Sequence, residues 1–317
     1  MLRHKNNPVV KNSDIPNIEP HLIYATSVFN PGAIKFNDKY LLMLRVQNRG
    51  RRTFFVMAES EDGVKFNVEN KIVEFEGLAE LNLKLYHMYD PRITKIEDEY
   101  YIMFAMDIEN YCSLGLAKTN DFKNFKFLGV VSEKNVRNGV LFPEKINNEY
   151  YRFERPNTAQ IEGGPLTGNS IVVAKSKDMI SWQRLAIVAE GNKFYWDEMV
   201  GSSTPPIKTR KGWLHTYHGI AMHYAPIYQM GVMLHDLNNP AIVISRGTQN
   251  ILEPRELCEL AGQVPNVVFP TGIIVEEFDE EGFAKGDSEV KIYYGAADTS
   301  VCLVTTTVDE LIQHCFR

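Results

Sequence analysis

One hairpin plan recurs along this chain, and it constrains the fold more than any other feature. It appears as "IKFNDKYLLML" (Ile34–Leu44), "ITKIEDEYYIMFA" (Ile93–Ala105), "EKINNEYYRFE" (Glu144–Glu154) and "IKTRKGWLHTYHG" (Ile207–Gly219). Each copy is a short apolar strand, a polar turn and then an aromatic-rich strand. Asn-Asp, Glu-Asp, Asn-Asn and Lys-Gly occupy the turns, where tight hairpins need residues that tolerate positive φ. After the first three hairpins comes Ala-x-Ser/Thr-x-Asp followed by an aromatic: Ala58 to Asp62 with Phe66, Ala117 to Asp121 with Phe125, and Ala174 to Asp178 with Trp182. The Asp is expected to open a turn by accepting from its own backbone. A degenerate fourth copy reads "GVMLHDLNNP" (Gly231–Pro240), and a fifth unit runs through "NVVFPTGIIV" (Asn266–Val275) and "VKIYYGAADTSVCLVTTTVDEL" (Val290–Leu311).

Five units of antiparallel strand, each roughly forty to sixty residues long, describe propeller blades. The expected fold is all-β: one five-bladed β-propeller spanning residues 1–317, with an N-terminal arm and a short C-terminal helix at "VDELIQHCF". Blades are expected at roughly 31–70, 91–130, 139–186, 201–245 and 265–311. A β-sandwich is the second choice. A doubly wound α/β fold would need helices between the strands, and their periodicity is missing.

Composition narrows the function. The formal charge is −6, with acids and bases interspersed, which argues against a nucleic-acid surface. No apolar run approaches the roughly 20 residues that span a bilayer. The opening "MLRHKNNPVVKN" lacks the apolar core of a secretory signal, so a cytoplasmic location is expected. Cys112, Cys258, Cys302 and Cys315 are scattered and read as reduced thiols, with neither zinc nor a disulfide framework signalled.

In a propeller the inner strands converge on a central channel, so polar residues at their ends share one pocket. Asn30, Asp90 with Arg92, Arg137 with Asn138, Arg155, Lys208, His218 and Asp298 occupy comparable places in their units. Two readings of Asp90 stand open. Pro91 holds it extended, and Tyr86 and Tyr89 would desolvate it and raise its pKa, as a general acid requires; alternatively it caps the turn that starts its blade. Arg45, Arg137, Arg155, Lys208 and His218 would gather cations at the same mouth, the arrangement that binds an anion. Without a Gly-rich nucleotide loop, that anion is inorganic phosphate or a sugar phosphate. Trp196, Trp213 and the tyrosines offer flat faces for sugar rings. No His, Cys or carboxylate cluster has metal-ligand spacing.

The set "NPGA", "YDPRIT", "VLFPEKI", "ERP", "TPPIKT", "GWLHTYHG", "PNVVFPTG" and "YYGAADTSVCLV" resembles glycoside hydrolase family 130, the β-mannoside phosphorylases, from about Asn30 to about Asp309. The resemblance implies a five-bladed propeller in which inorganic phosphate attacks the anomeric carbon of a terminal β-mannosyl unit. Inversion yields α-D-mannose 1-phosphate and a shortened acceptor. Asp90 is the implied proton donor, acting through a hydroxyl of the bound sugar. Arg137, Asn138, Arg155, Lys208, His218 and Tyr228 are the implied phosphate ligands, and Asn30, Arg45, Tyr89 and Asp298 the implied substrate-binding residues. An inverting hydrolase needs a second carboxylate about 6.5–9.5 Å from its acid to activate water; phosphate, already an anion, needs cations to hold it in line. Tyr89 stands where many members carry Glu before the Asp-Pro-Arg, which points toward β-1,2-linked mannosides, with β-1,4 second.

The implied partners are a manno-oligosaccharide and phosphate, without a cofactor, metal, nucleic acid or membrane. A homo-oligomer would use the N-terminal arm and the C-terminal segment. The alternatives are a hydrolase of the same fold, with Glu198 or Glu144 as base, and a non-catalytic propeller scaffold.

Overall fold

The computed structural model describes residues 1–160, 166–222 and 225–317. Five antiparallel sheets stand around one axis as the blades of a propeller. Blade 1 runs Ser27–Phe36, Lys39–Gln47, Thr53–Ser60 and Asn67–Ile72 from the axis outward. Blade 2 is Leu85–Ile96, Glu99–Ile108, Tyr111–Thr119 and Phe125–Val130, with Phe75–Glu76 added parallel at its rim. Blade 3 is Val136–Leu141, Tyr150–Pro156, Ser170–Ser176 and Gln183–Glu190. In blade 4, Met199–Ser202 and Ile207–Thr209 together form the inner strand beside Gly212–Ala221, then Ile227–His235 and Val243–Arg246. Blade 5 is Val268–Val275, Glu289–Ala296 and Ser300–Thr307, and its outer strand is Leu2–Arg3 from the opposite end of the chain. The ring is thereby closed by pairing the first residues with the last strand, which removes an open edge.

The repeat makes these sheets for local reasons. Asn37 and Asp38, and likewise Asn147 and Asn148, take consecutive left-handed φ values of 49° and 62°, and of 52° and 63°, as a tight hairpin needs. At the outer turns Asp62 Oδ1 accepts from the amides of Val64 and Lys65, both at 2.8 Å. Asp121 and Asp178 repeat that pattern, as does Asp236 in the degenerate fourth copy.

Between blades lie aromatic and aliphatic layers. Phe104 stacks on Phe75 with ring centres 5.0 Å apart and meets Phe55 edge-on at 5.6 Å. Each such fully buried side chain stabilises by roughly 1.5–3 kcal/mol. The helix Val308–Cys315 buries Val308, Leu311, Ile312 and Cys315 against blades 4 and 5, and Thr307 caps it by accepting from the Glu310 amide. Its apolar stripe is therefore consumed inside the subunit and is not the free contact surface expected from sequence.

The inner strands of blades 1 to 4 begin earlier than the sequence pattern places them: at Ser27, Leu85, Val136 and Met199. In blades 1 to 3 the cause is a β-bulge, which slips the period-2 alternation and hides the first half of the strand from pattern reading.

Candidate functional site

Those bulges build the site. In blade 1 the register shifts between Phe29 and Gly32, in blade 2 between Tyr89 and Arg92, and in blade 3 between Arg137 and Val140. Asn30, Asp90 and Asn138 sit within them, with left-handed φ of 45°, 54° and 51°. Asn and Asp tolerate this region better than other residues with a Cβ, and the strain of about 1 kcal/mol each is held by the surrounding sheet. Each bulge re-aims one polar side chain toward the axis. On the neighbouring strand Arg45 pairs with Phe29 and Arg155 with Arg137, so both arginines stand beside a bulge. Close approach from the other blades needs bare backbone: a Cβ on Gly295 would lie 2.0 Å from Asn30 Oδ1, and one on Gly201 2.9 Å from Asn138 Oδ1.

The Asp-Pro-Arg run now has a physical reading. Arg92 is fully buried and donates through Nε to the Ser203 carbonyl at 2.8 Å, through Nη2 to that of Ser202 at 3.3 Å, and through Nη1 to that of Asp90 at 2.8 Å. It ties blade 2 to blade 4 and clamps the strained Asp90 peptide. Burial lowers its pKa to about 10, so it remains a cation at neutral pH.

A cavity of about 470 Å³ opens at this end of the axis, within the usual range for small-ligand sites. One side holds Asp90, whose Oδ1 accepts from Arg45 Nη1 at 2.7 Å and Asn30 Nδ2 at 2.9 Å. Desolvation pushes the Asp90 carboxyl up, but Arg45, Arg92 and Asn30 together overcome it and leave the pKa below the ordinary value. For Asp298, on a left-handed turn of blade 5, burial outweighs the pull of Arg45 and, with Asp90 nearby, raises the pKa to about 6. Arg137, Asn138, Arg155 and Tyr228 also line the cavity. Arg137 Nε donates to Cys112 Sγ at 3.2 Å, and its Nη2 is 3.9 Å from Asp107. Arg155 is buried, and no carboxylate among the described residues lies within ion-pairing distance of it. Its Nε donates to Asn157 Oδ1 at 3.1 Å, and burial with Arg137 beside it lowers its pKa to about 10.

Five buried side-chain atoms among the described residues have no hydrogen-bond partner: Asn30 Oδ1, Arg45 Nε, Gln47 Oε1, His87 Nδ1 and Asn138 Oδ1. All five residues line this cavity. Buried polar groups are normally paired, so their concentration here marks a surface shaped for a ligand rich in hydroxyls or oxyanions.

Most residues singled out from sequence meet here: Asn30, Arg45, Tyr89, Asp90, Arg137, Asn138, Arg155, Tyr228 and Asp298 all line the cavity. Several do not behave as expected. Lys208 lies at the hairpin-turn end of its strand, opposite Trp213, the place Lys35 and Lys95 take opposite Tyr40 and Tyr100. It bonds Glu144 at 2.8 Å and lies over the Phe283 ring, away from the cavity. His218 is buried behind the wall. Its Nε2 receives Arg155 Nη1 at 3.4 Å, and burial with Arg155 and Arg92 depresses its pKa well below 6.5, so it is neutral and not a cation. Asp90 is lowered rather than raised: Tyr86 is 45% exposed, and the Tyr89 hydroxyl is committed to Asp107 at 2.7 Å. Trp213 is fully buried, and Trp196 packs in the same core cluster. Glu198 accepts from the Met222 amide and Glu144 pairs with Lys208, so neither carboxylate lines the cavity.

Sequence reasoning missed Gln47, Thr53, His87 and Asp107 on the lining. The signal was available. Gln47 lies two residues beyond Arg45 on one strand, hence on one face, and Asp107 occupies the matching place opposite His87 in blade 2.

With that geometry in hand, comparison with known proteins is direct. A family model described as beta-1,4-mannooligosaccharide phosphorylase matches residues 2–317. A beta-1,4-mannooligosaccharide phosphorylase of Ruminococcus albus is 28% identical over 98% of this chain and 90% of its own length. A beta-1,2-mannobiose phosphorylase of Listeria innocua is 33% identical over 82% of this chain and 68% of its own. The structure of a Listeria innocua beta-1,2-mannobiose phosphorylase in complex with beta-1,2-mannobiose superposes with a TM-score of 0.86 at 27% identity, covering 99% of this chain and 98% of that one.

Proposed function

This chain belongs to glycoside hydrolase family 130, and from that premise we propose inverting phosphorolysis of the terminal β-mannosidic bond of short manno-oligosaccharides. The linkage favoured is β-1,2, with β-1,4 second; the products are α-D-mannose 1-phosphate and a shortened acceptor. One observation carries the reading: a carboxylate fixed on a bulge shares a cavity with the half-buried Arg137 and the buried Arg155, and Arg155 has no carboxylate counter-ion among the described residues. A buried unpaired cation is costly, and an incoming phosphate supplies the missing charge.

The residues divide the work. Arg137 and Arg155, with Asn138 and Tyr228, hold phosphate on one side of the mannosyl ring, which converts a bimolecular attack into a positioned one. His218, acting through Arg155, orients that guanidinium. Asn30, Arg45 and Asp298 meet sugar hydroxyls. Asp90 supplies the proton to the departing oxygen. Its carboxyl is ionised in the free protein, so protonation accompanies sugar binding, when a covering ring removes it further from water. The reaction draws on no cofactor beyond phosphate as co-substrate.

Incubation with β-1,2- and β-1,4-mannobiose, with and without inorganic phosphate, tests this. Mannose 1-phosphate formed only with phosphate supports it. Equal release of free mannose in both arms would place the chain among hydrolases instead, and inertness toward both sugars would favour a scaffold.

A further inference from the structure

Arg137 and Arg155 are braced differently from other arginines that this fold withdraws from water. Arg3 Nε donates to Glu259 at 2.8 Å, Arg152 Nε to Glu154 at 2.8 Å, and Arg246 Nη2 to Asp197 at 2.6 Å, so each of those guanidiniums meets a carboxylate. Arg137 and Arg155 instead turn Nε to a thiol and an amide: Cys112 Sγ at 3.2 Å and Asn157 Oδ1 at 3.1 Å. The two acceptors are themselves joined, because Asn157 Nδ2 donates to Cys112 Sγ at 3.5 Å. The backbone repeats the connection between blades 2 and 3. The Asn135 amide donates to the Cys112 carbonyl at 2.6 Å, and the Asn157 amide to the Asn135 carbonyl at 2.7 Å. Cys112 and Asn157 are both buried, and neither lines the main cavity. Sulfur is a weak acceptor and a side-chain amide carries no net charge. The bridge therefore uses the Nε of each arginine and leaves its charge available. A carboxylate in the same place would relieve the repulsion between the two cations, but it would also compete with an incoming anion.

We infer that Asn157 and Cys112 are the positioning pair of the anion site: they hold Arg155 and Arg137 in one fixed arrangement without neutralising either. The inference rests on the phosphorylase reading for the identity of the anion. Both residues act through the guanidinium groups and touch neither phosphate nor sugar.

The test measures KM for phosphate and for mannobiose in wild type, Asn157→Asp, Cys112→Val and Cys112→Ser. Asn157→Asp keeps the size and an oxygen acceptor for Arg155 Nε, and adds the negative charge that the fold leaves out. It is expected to raise the phosphate KM about tenfold while the mannobiose KM stays within about twofold. A merely structural Asn157 gives the opposite result, an unchanged phosphate KM, because the carboxylate strengthens the same bond. That result, or an equal rise in both KM values, overturns the inference. Cys112→Val removes the shared acceptor and is expected to raise the phosphate KM about fivefold, the order of one hydrogen bond. Cys112→Ser, with an oxygen in that place, is expected to recover most of the loss; equal values in the two variants overturn the inference, and this pair decides it if Asn157→Asp does not fold. Absence of phosphate-dependent turnover in wild type would remove the phosphorylase reading and leave the bridge to calorimetry with inorganic phosphate. Binding to wild type that weakens about tenfold in Asn157→Asp supports the bridge; no binding to wild type, or equal affinities, overturns it.

Discussion

Replacing Arg155 by Met should separate a binding cation from a structural one. The guanidinium is buried, and its pKa falls from 12.5 to about 10, which corresponds to roughly 3 kcal/mol of unfavourable burial carried by the charged form. Met removes that charge while keeping most of the stem. It also gives up the hydrogen bonds to Asn157 and His218, together worth about 2 kcal/mol. The phosphate-free variant should therefore unfold at a free energy within about 1 kcal/mol of wild type, or slightly above it. Phosphate should act oppositely on the two proteins. At a hundred times its dissociation constant it stabilises wild type by about 2.7 kcal/mol through mass action, and that increment should vanish in the variant. Urea unfolding with and without phosphate reads both quantities. A variant that loses several kcal/mol without phosphate yet keeps the full phosphate increment would refute the reasoning, since Arg155 would then be a brace and not an anion ligand.

Asp90→Asn keeps the size and the left-handed preference of its bulge, so folding should persist while kcat falls by about 10²- to 10⁴-fold; retained turnover would remove the proton-donor role. Lys208→Ala should leave the KM for phosphate unchanged, because its ammonium is bonded to Glu144 outside the cavity; a raised KM would return it to the anion site. Acid should unfold the protein through blade 4. His235 donates through Nδ1 to the Pro240 carbonyl and accepts at Nε2 from His215, whose own Nε2 accepts from Ser202. Burial holds these two rings and His218 neutral, with His235 lowered to about 4. The unfolded chain binds more protons below about pH 6.5, so stability is complete above that and is lost as pH falls toward 4, at up to about 4 kcal/mol per pH unit. A flat stability profile between pH 6.5 and 4.5 would contradict the buried neutral rings.

Much of this was legible because the repeat carries both the fold and the site. Asn-Asp and Asn-Asn pairs announce tight hairpins, and Asp62, Asp121 and Asp178 announce the outer turns. Asn30, Asp90 and Asn138 stood out because short polar residues interrupt apolar strands at matching places. What stayed hidden depends on geometry that alternation does not encode. A bulge shifts the side-chain register by one, so the strand segments before Asn30, Asp90 and Arg137 fall outside the blade bounds that the hairpin pattern gives. Lys208 was expected at the mouth from its place in its unit and from the family resemblance, but strand pairing sets it at the opposite end of the sheet from His218. Trp196 and Trp213 resemble sugar platforms by composition alone, yet both fill the core between blades 3 and 4. The charge of His218 was likewise invisible, because only burial beside Arg155 and Arg92 makes it neutral.

The most direct measurement follows the oxygen that arrives at the anomeric carbon. Mannobiose turned over in ¹⁸O-water with unlabelled phosphate should yield α-mannose 1-phosphate whose bridging oxygen is unlabelled, because it came from the anion seated between Arg137 and Arg155. Free mannose carrying ¹⁸O at C1, formed at a rate indifferent to phosphate, would contradict that anion site.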